Sequence, residues 1–299
     1  MSNQKYLFVD LPHLAHRCAY AQQDLTYNDK PVGMMYGVFR SLYKYRQMFP
    51  LYHIVLAKDA GHLRRDQESR DAVSKGIIPE TYKENRVKKP KDLVKWQMEQ
   101  QWDDLDRGLR LTSCQLVIKE GFEADDVIAS YVLGCSNSCV IITSDHDYYQ
   151  LLEPGVVIQD DLRNKKITFK TLQENYGLDA AVQWVDVGAL EGDTSDNIFG
   201  VPGVGEKTAT KLIAEHKSVK NLLEYLHEQM KQGKTLPKKQ QAILEYEERV
   251  HVAYSLKQMD VDIEGLPELS VRAGFSNEYK EFLEEFGFNS LIKSIDALT

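Results

Sequence analysis

The chain alternates short apolar runs with amphipathic stretches. Residues 6–9 (YLFV), 53–57 (HIVLA), 115–118 (QLVI), 140–143 (VIIT) and 156–159 (VVIQ) are almost continuously apolar and β-prone. Runs of that kind and length suit strands buried on both faces. Between them lie helical patterns. Residues 92–110 set Met98, Trp102, Leu105 and Leu109 at spacings of four, three and four, which predicts one helix with one buried face. Residues 125–133 (DDVIASYVL) open with acids and continue apolar, as a helix N-terminus does. Alternating strands and helices predict an α/β fold, with a mostly parallel central sheet and helices on both faces. Past Ala209 the pattern is helical, broken by the lysine-rich 231–239. Residues 279–295 are amphipathic, with Phe282, Phe286, Phe288, Leu291 and Ile292 available to close a core. The expected division is an α/β core over 1–185 and a helical region over 186–299.

The polar residues that end the apolar runs add chemistry. Four of the five runs are followed by acids: Asp10; Asp59; Glu123, Asp125 and Asp126; Asp145 and Asp147. In a parallel sheet those strand ends share one edge, where open α/β folds bind ligands. The acids are therefore expected to converge. Asp193 and Asp196 join them from EGDTSDNIFGVPGVGEKTA, residues 191–209. One such acid alone is more often a solvated charge or a helix cap. Nine sharing a crevice would drive up one another's pKa values unless cations intervened. Oxygen-only ligand sets suit Mg²⁺ or Mn²⁺, and nine acids are too many for one ion, so two or more are expected.

The second half of residues 191–209, GVPGVGEKTA, reads as a tight Gly-rich turn opening a helix. Such a turn leaves backbone N–H groups free to hold a phosphate. Gly203 and Gly205 let the backbone approach it without a Cβ in the way, and Lys207 and Lys211 add positive charge. Residues 61–95 are rich in basic residues: Arg64, Arg65, Arg70, Lys75, Lys83, Arg86, Lys88, Lys89, Lys91 and Lys95. A solvated linker would look much the same. The functional reading is a mobile element over the crevice that neutralises phosphates, with Tyr82 stacking on a base.

Composition sets outer bounds. The 299 residues carry a net charge of −8, with 42% hydrophobic and 27% charged residues, as in ordinary soluble globular proteins. A negative balance argues against a generic nucleic-acid coat, though not against an enzyme that gathers acids on metals. No run approaches the ~20 apolar residues of a membrane span. The N-terminus lacks signal-peptide features, so the cytoplasm is the expected compartment. Cys18, Cys114, Cys135 and Cys139 have no metal or disulfide spacing and are expected to be buried thiols.

Six motifs in order resemble the flap endonuclease and 5′–3′ exonuclease family, in particular its stand-alone phage-type members (phage flap endonucleases and phage ribonuclease H). They are Asp10 with HLAHR; Asp59 with Arg64 and Arg65; PETYKENR (79–86), matching Pro-x-x-Tyr-Lys-x-x-Arg; EADD (123–126); SDHDYYQLL (144–152); and EGDTSDNIFGVPGVGEKTA. Leu11 stands where the family usually has Gly, Lys58 where it commonly has an aromatic, and 66–80 matches poorly. The resemblance implies a PIN-like 5′ nuclease fold with a helix–hairpin–helix-like motif. It implies one ion around Asp10, Asp59, Glu123 and Asp125, with Asp126 close by, and a second around Asp145, Asp147, Asp193 and Asp196. Ions ~4 Å apart serve an in-line displacement. Lys83 and Arg86 would steady the scissile phosphate. K⁺ would bind backbone carbonyls near Val201 and Val204. The implied substrates are flap, nicked or RNA-primed DNA and RNA–DNA duplex in replication and repair. The implied actor is a monomer whose polymerase, clamp or single-strand-binding partners are separate chains, in the host cytoplasm if phage-encoded.

Two other readings compete. An Asp-based phosphatase could use Asp145-x-Asp147, but it leaves the Gly-rich turn and the basic segment without a role. A catalytically inactive branched-DNA-binding protein would show lost acids, and none of the nine is missing.

Overall fold

The computed structural model describes residues 4–88, 92–134 and 138–299. Lys89, Lys91, Cys135 and the side chain of Lys88 lie outside the described residues. All five apolar runs are strands of one six-stranded sheet. β1 (Lys5–Asp10) is followed by a small hairpin of β2 (Thr26–Tyr27) and β3 (Lys30–Pro31), then by β4 (Tyr52–Lys58), β5 (Gln115–Ile118), β6 (Cys139–Ile142), β7 (Val156–Asp160) and β8 (Lys165–Ile167). The sheet order is β5-β4-β1-β6-β7-β8. The first five pair in parallel, and only the unforeseen β8, a polar edge strand, runs antiparallel.

Successive residues of each strand point to opposite faces, and so they feed two cores. Leu7, Val9, Ile54, Leu56, Val140 and Ile142 pack with α1 (Leu11–Ala21), α2 (Gly33–Met48), α5 (Leu93–Glu99) and α6 (Trp102–Arg110). Tyr6, Phe8, Val55, Ala57, Val117 and Ile141 face α7 (Ala124–Gly134) and the helical region.

The single helix expected over 92–110 is two, because the chain turns at Gln100 and Gln101. Gln101 is buried, and its Oε1 accepts the Met35 backbone N–H at 3.2 Å. Satisfying an N-terminal donor of α2 in this way fixes the turn. Met98, Leu105 and Leu109 are buried as the spacing predicts.

On the first half, α3 (Leu63–Ser74) and α4 (Glu84–Lys88) form the basic segment. Beyond α8 (Phe169–Tyr176) come α9 (Gln183–Glu191), α10 (Glu206–His216), α11 (Val219–Lys231), α12 (Lys238–Glu245) and α13 (Glu247–Lys257). α13 packs on both α9 and α3. The chain then returns to the α/β half: Phe282 of α14 (Ser276–Glu285) sits edge-on to Phe39, 5.6 Å between ring centres. Cys18, Cys114 and Cys139 are buried. No helix among the described residues is long and apolar enough to cross a membrane.

Candidate metal and nucleic-acid site

The parallel sheet delivers its acids to one edge. Asp10 ends β1 and caps α1: its Oδ1 accepts the His13 N–H at 2.9 Å and its Oδ2 accepts the Tyr148 hydroxyl at 2.9 Å. Asp59 follows β4 and accepts the Ala124 N–H at 2.8 Å. Glu123, Asp125 and Asp126 stand at the start of α7. Asp145 caps the 3₁₀ turn His146–Leu151 and accepts the Asp147 N–H at 2.9 Å. Asp193 and Asp196 come from a hairpin of β9 (Gly192–Asp193) and β10 (Ile198–Phe199), where Asp193 Oδ1 accepts the Ser195 N–H at 2.8 Å.

Seven of the nine acids line one cavity of about 660 Å³: Asp10, Asp59, Glu123, Asp125, Asp145, Asp147 and Asp196. A neighbouring cavity of about 690 Å³ takes Asp193, shares Asp145 and Asp147, and extends to Gly200, Val201 and Gly205 of the Gly-rich turn.

Asp126 stands beside the expected ligands Glu123 and Asp125 and is the most heavily hydrogen-bonded to Arg65 of the three. Glu123, Asp125 and Asp126 bring oxygens within 4.8 Å of one another. But Asp126 is buried, takes both Arg65 Nη atoms at 2.8 and 3.0 Å, and accepts the Asp260 N–H at 2.9 Å. Its oxygens are already engaged, and it lies off the cavity wall.

Three residues assigned to DNA are corrected. Arg65 lines the cavity but is 3% exposed and paired with Glu123, Asp125 and Asp126, so its charge is spent on those carboxylates rather than offered to a phosphate. Arg64 donates to the carbonyls of Ser255 at 2.7 Å and Gln258 at 2.6 Å, closing the C-terminal end of α13. Tyr82 is 5% exposed, and its hydroxyl donates to Glu123 Oε2 at 3.0 Å, so its ring is unavailable to a base. For Arg64 and Arg65 this follows from α3 lying along α13, while Tyr82, in the turn before α4, is held by Glu123 and Asp196.

Lys83 and Arg86 do line the acidic cavity. The Lys83 ammonium pairs with Glu123 and stands 3.7 Å from Asp196, and Arg86 pairs with Asp196 from a half-exposed position. In the turn, Gly203 has a left-handed φ of 78°. Gly205 caps α10 in an ordinary extended conformation, and a Cβ there would meet nothing within 4 Å. Conformation thus calls for glycine at 203, whereas at 205 only close approach by a ligand would. Lys207 and Lys211 are exposed, and Lys239 reaches the same helix start through Thr208 Oγ1 at 2.8 Å. Val201 and Val204 are buried, and the Val201 carbonyl accepts the Val204 N–H at 3.0 Å.

One cluster member has no signal in the sequence. Lys257, the last residue of α13, places its ammonium 2.6 and 2.7 Å from the two Asp147 oxygens and 3.0 Å from Asp193 Oδ2.

Compensation is therefore uneven. Burial works against the Glu123 charge, but Lys83 and then Arg65 outweigh it and hold the carboxyl low. Lys257 does the same for Asp193 against burial. Asp10, Asp59 and Asp145 have no ion-pair partner among the described residues. Burial, then Asp59, pushes Asp10 up to about 8, and burial raises Asp59 and Asp145. Buried, without a direct ion pair among the described residues and oxygen-only, this part of the donor set fits a hard divalent cation.

Comparison with known proteins agrees with this geometry. Residues 5–177 match the model of the 5′–3′ exonuclease N-terminal, resolvase-like domain, and residues 180–273 that of the 5′–3′ exonuclease C-terminal SAM fold. A thermostable DNA polymerase I of Thermus filiformis is 33% identical over 302 residues, covering 99% of this chain and 34% of that protein. DNA polymerase I of Caldicellulosiruptor bescii is 33% identical over 232 residues, 74% of this chain and 26% of that one. The chain thus spans about a third of the length of the curated relatives it matches. Among solved structures, T5 5′-exonuclease with bound zinc superposes with a TM-score of 0.67 at 18% identity, covering 98% of each chain. The catalytic core of Rad2 in complex with DNA substrate gives 0.60 at 16%, covering 98% of this chain and 91% of that one. Both likenesses establish the fold.

Proposed function

This chain belongs to the 5′–3′ exonuclease family, and on that premise we propose that it is a metal-dependent 5′ nuclease acting on flap, nicked or RNA-primed duplex DNA. The observation that carries the proposal is a single cavity holding seven carboxylates together with Lys83 and Arg86, adjoining a cavity that reaches the Gly-rich turn.

Asp10, Asp59, Glu123, Asp125 and Asp145 would hold one Mg²⁺ or Mn²⁺, and Asp147, Asp193 and Asp196 offer oxygens for a second. Bound divalent ions in such sites activate water and stabilise the leaving oxygen of an in-line displacement. Lys83 and Arg86 turn from their carboxylates to the scissile phosphate and steady its charge. Asp126 and Arg65 do not touch substrate; they hold Glu123 in place. Gly203, Gly205, Lys207 and Lys211 grip the duplex backbone away from the cut and position it without reading bases. K⁺ at carbonyls near Val201 and Val204 belongs to the same proposal.

The test is a product map on 5′-labelled flap, nicked, gapped and RNA–DNA substrates with Mg²⁺. Short 5′-phosphorylated products that vanish with EDTA are expected. Tight binding of flaps without cleavage would establish the inactive DNA-binding reading instead. Hydrolysis of a small phosphomonoester but not of DNA would establish the phosphatase reading.

A further inference from the structure

We propose that Lys257 is a tethered cation standing where a second divalent ion would sit, between Asp147 and Asp193, so that the two halves of the cluster load in a fixed order. The inference rests on the divalent-ion reading above.

The ammonium is placed from both ends. It contacts Asp147 at 2.6 and 2.7 Å and Asp193 at 3.0 Å. The Lys257 backbone carbonyl accepts Gln150 Nε2 at 3.1 Å, which fixes the start of the side chain. The stem runs over Gly188 of α9, and a Cβ there would come within 2.9 Å of Lys257 Cε and 3.3 Å of its Cγ. A glycine in the middle of a helix is thus the groove that carries the lysine. Lys83 differs: it lies on a loop, not a packed helix, and is the more exposed of the two.

Magnesium sits about 2.0–2.1 Å from its oxygen ligands. An ion taking the Asp147 and Asp193 oxygens would collide with an ammonium already in contact with them. The ammonium also cancels one of the two negative charges that would attract it. Asp10, Asp59 and Asp145 have no such cation among the described residues, so the first ion binds there. A second must displace Lys257 from its two carboxylates.

The test is a Mn²⁺ titration of the full chain without DNA, with free Mn²⁺ read by electron paramagnetic resonance. Wild type should hold one ion tightly and a second at least about tenfold more weakly. Lys257→Met should bring the second affinity to within a few fold of the first. Gly188→Ala, which keeps the charge but displaces the stem, should tighten the second ion in the same direction. Because Gly188→Ala disturbs the stem without removing the lysine, a Met variant that fails to fold still leaves a deciding comparison with wild type. Two equally tight ions in wild type would overturn this inference alone. An unchanged second affinity in both variants would do the same. No bound Mn²⁺ in wild type would overturn the divalent-ion reading, and this inference with it.

Discussion

The backbone N–H of Lys83 donates to the carbonyl oxygen of Asp196 at 2.9 Å. Beside it, Asn197 Nδ2 donates to the Thr81 carbonyl at 2.8 Å. The basic segment is thus bonded to the acidic hairpin through main chain. Lys83 itself adopts a left-handed φ of 54°, which costs a non-glycine residue about 1–2 kcal/mol. That strain aims the ammonium into the cavity.

Lys83→Ala is therefore expected to act on rate. Loss of an electrostatic stabiliser of this kind lowers the chemical step by a factor on the order of 10²–10³. Single-turnover cleavage of a flap should fall by that much, while flap affinity in Ca²⁺ changes less than about tenfold. An unchanged rate with poorer affinity would make Lys83 a substrate-positioning residue.

Arg65→Met separates a structural cation from a DNA contact. It leaves Asp126 buried without its counter-charge and Glu123 with Lys83 alone, a loss of about 3–5 kcal/mol. Urea unfolding should show a clear fall in midpoint. A normal midpoint combined with weaker DNA binding would restore Arg65 to the nucleic-acid surface.

The Gly-rich turn should separate conformation from access. Gly205→Val meets open space and is expected to shift stability by less than about 1 kcal/mol while weakening duplex-containing flaps. Gly203→Val, at a φ of 78°, should cost about 1–2 kcal/mol in folding. Lys207→Ala should reduce the salt slope of flap binding by about one. Urea unfolding checks the two folding costs, and binding of flap and single-stranded DNA across a salt series in Ca²⁺ checks the effects on DNA. Equal losses on both substrates would reduce the stretch to a structural turn.

Asp186 sets a pH dependence outside the cavity. It is buried in α9, accepts the Val219 N–H at 2.8 Å, and is pushed by burial from 3.8 up to about 6. A raised carboxyl favours the folded state fully below the unfolded value, and that contribution is lost as pH rises through about 6. Asp186→Asn keeps an acceptor that cannot ionise. Its stability relative to wild type should climb between pH 4 and pH 8 by about 2 kcal/mol. Parallel denaturation midpoints across that range would refute the assignment.

Much of the site was legible because burial constrains sequence. A strand covered on both faces must stay apolar to its end, so Asp10, Asp59 and Asp145 mark where that demand stops. Arg65 and Lys257 left no such mark. Whether a basic residue on α3 or α13 turns outward or into the carboxylates depends on how those helices roll against α7 and α9, which no local spacing records. The break between α5 and α6 was hidden for a similar reason. Both helices bury against one core, so the apolar spacing runs straight through, while Gln101 finds its partner 66 residues away at Met35.

The placement of β1 in the middle of the sheet carries a consequence for biosynthesis. Its neighbours are β4 and β6, so the second edge of β1 stays open until residues 139–142 arrive. The carboxylates wait longer still, for the β9–β10 hairpin, and their last internal cation comes only with Lys257. Pairing elements so distant in sequence is slow, and domains fold during synthesis as their parts emerge. A chain still on the ribosome therefore carries an incomplete cluster until residue 257 has emerged and α13 has packed.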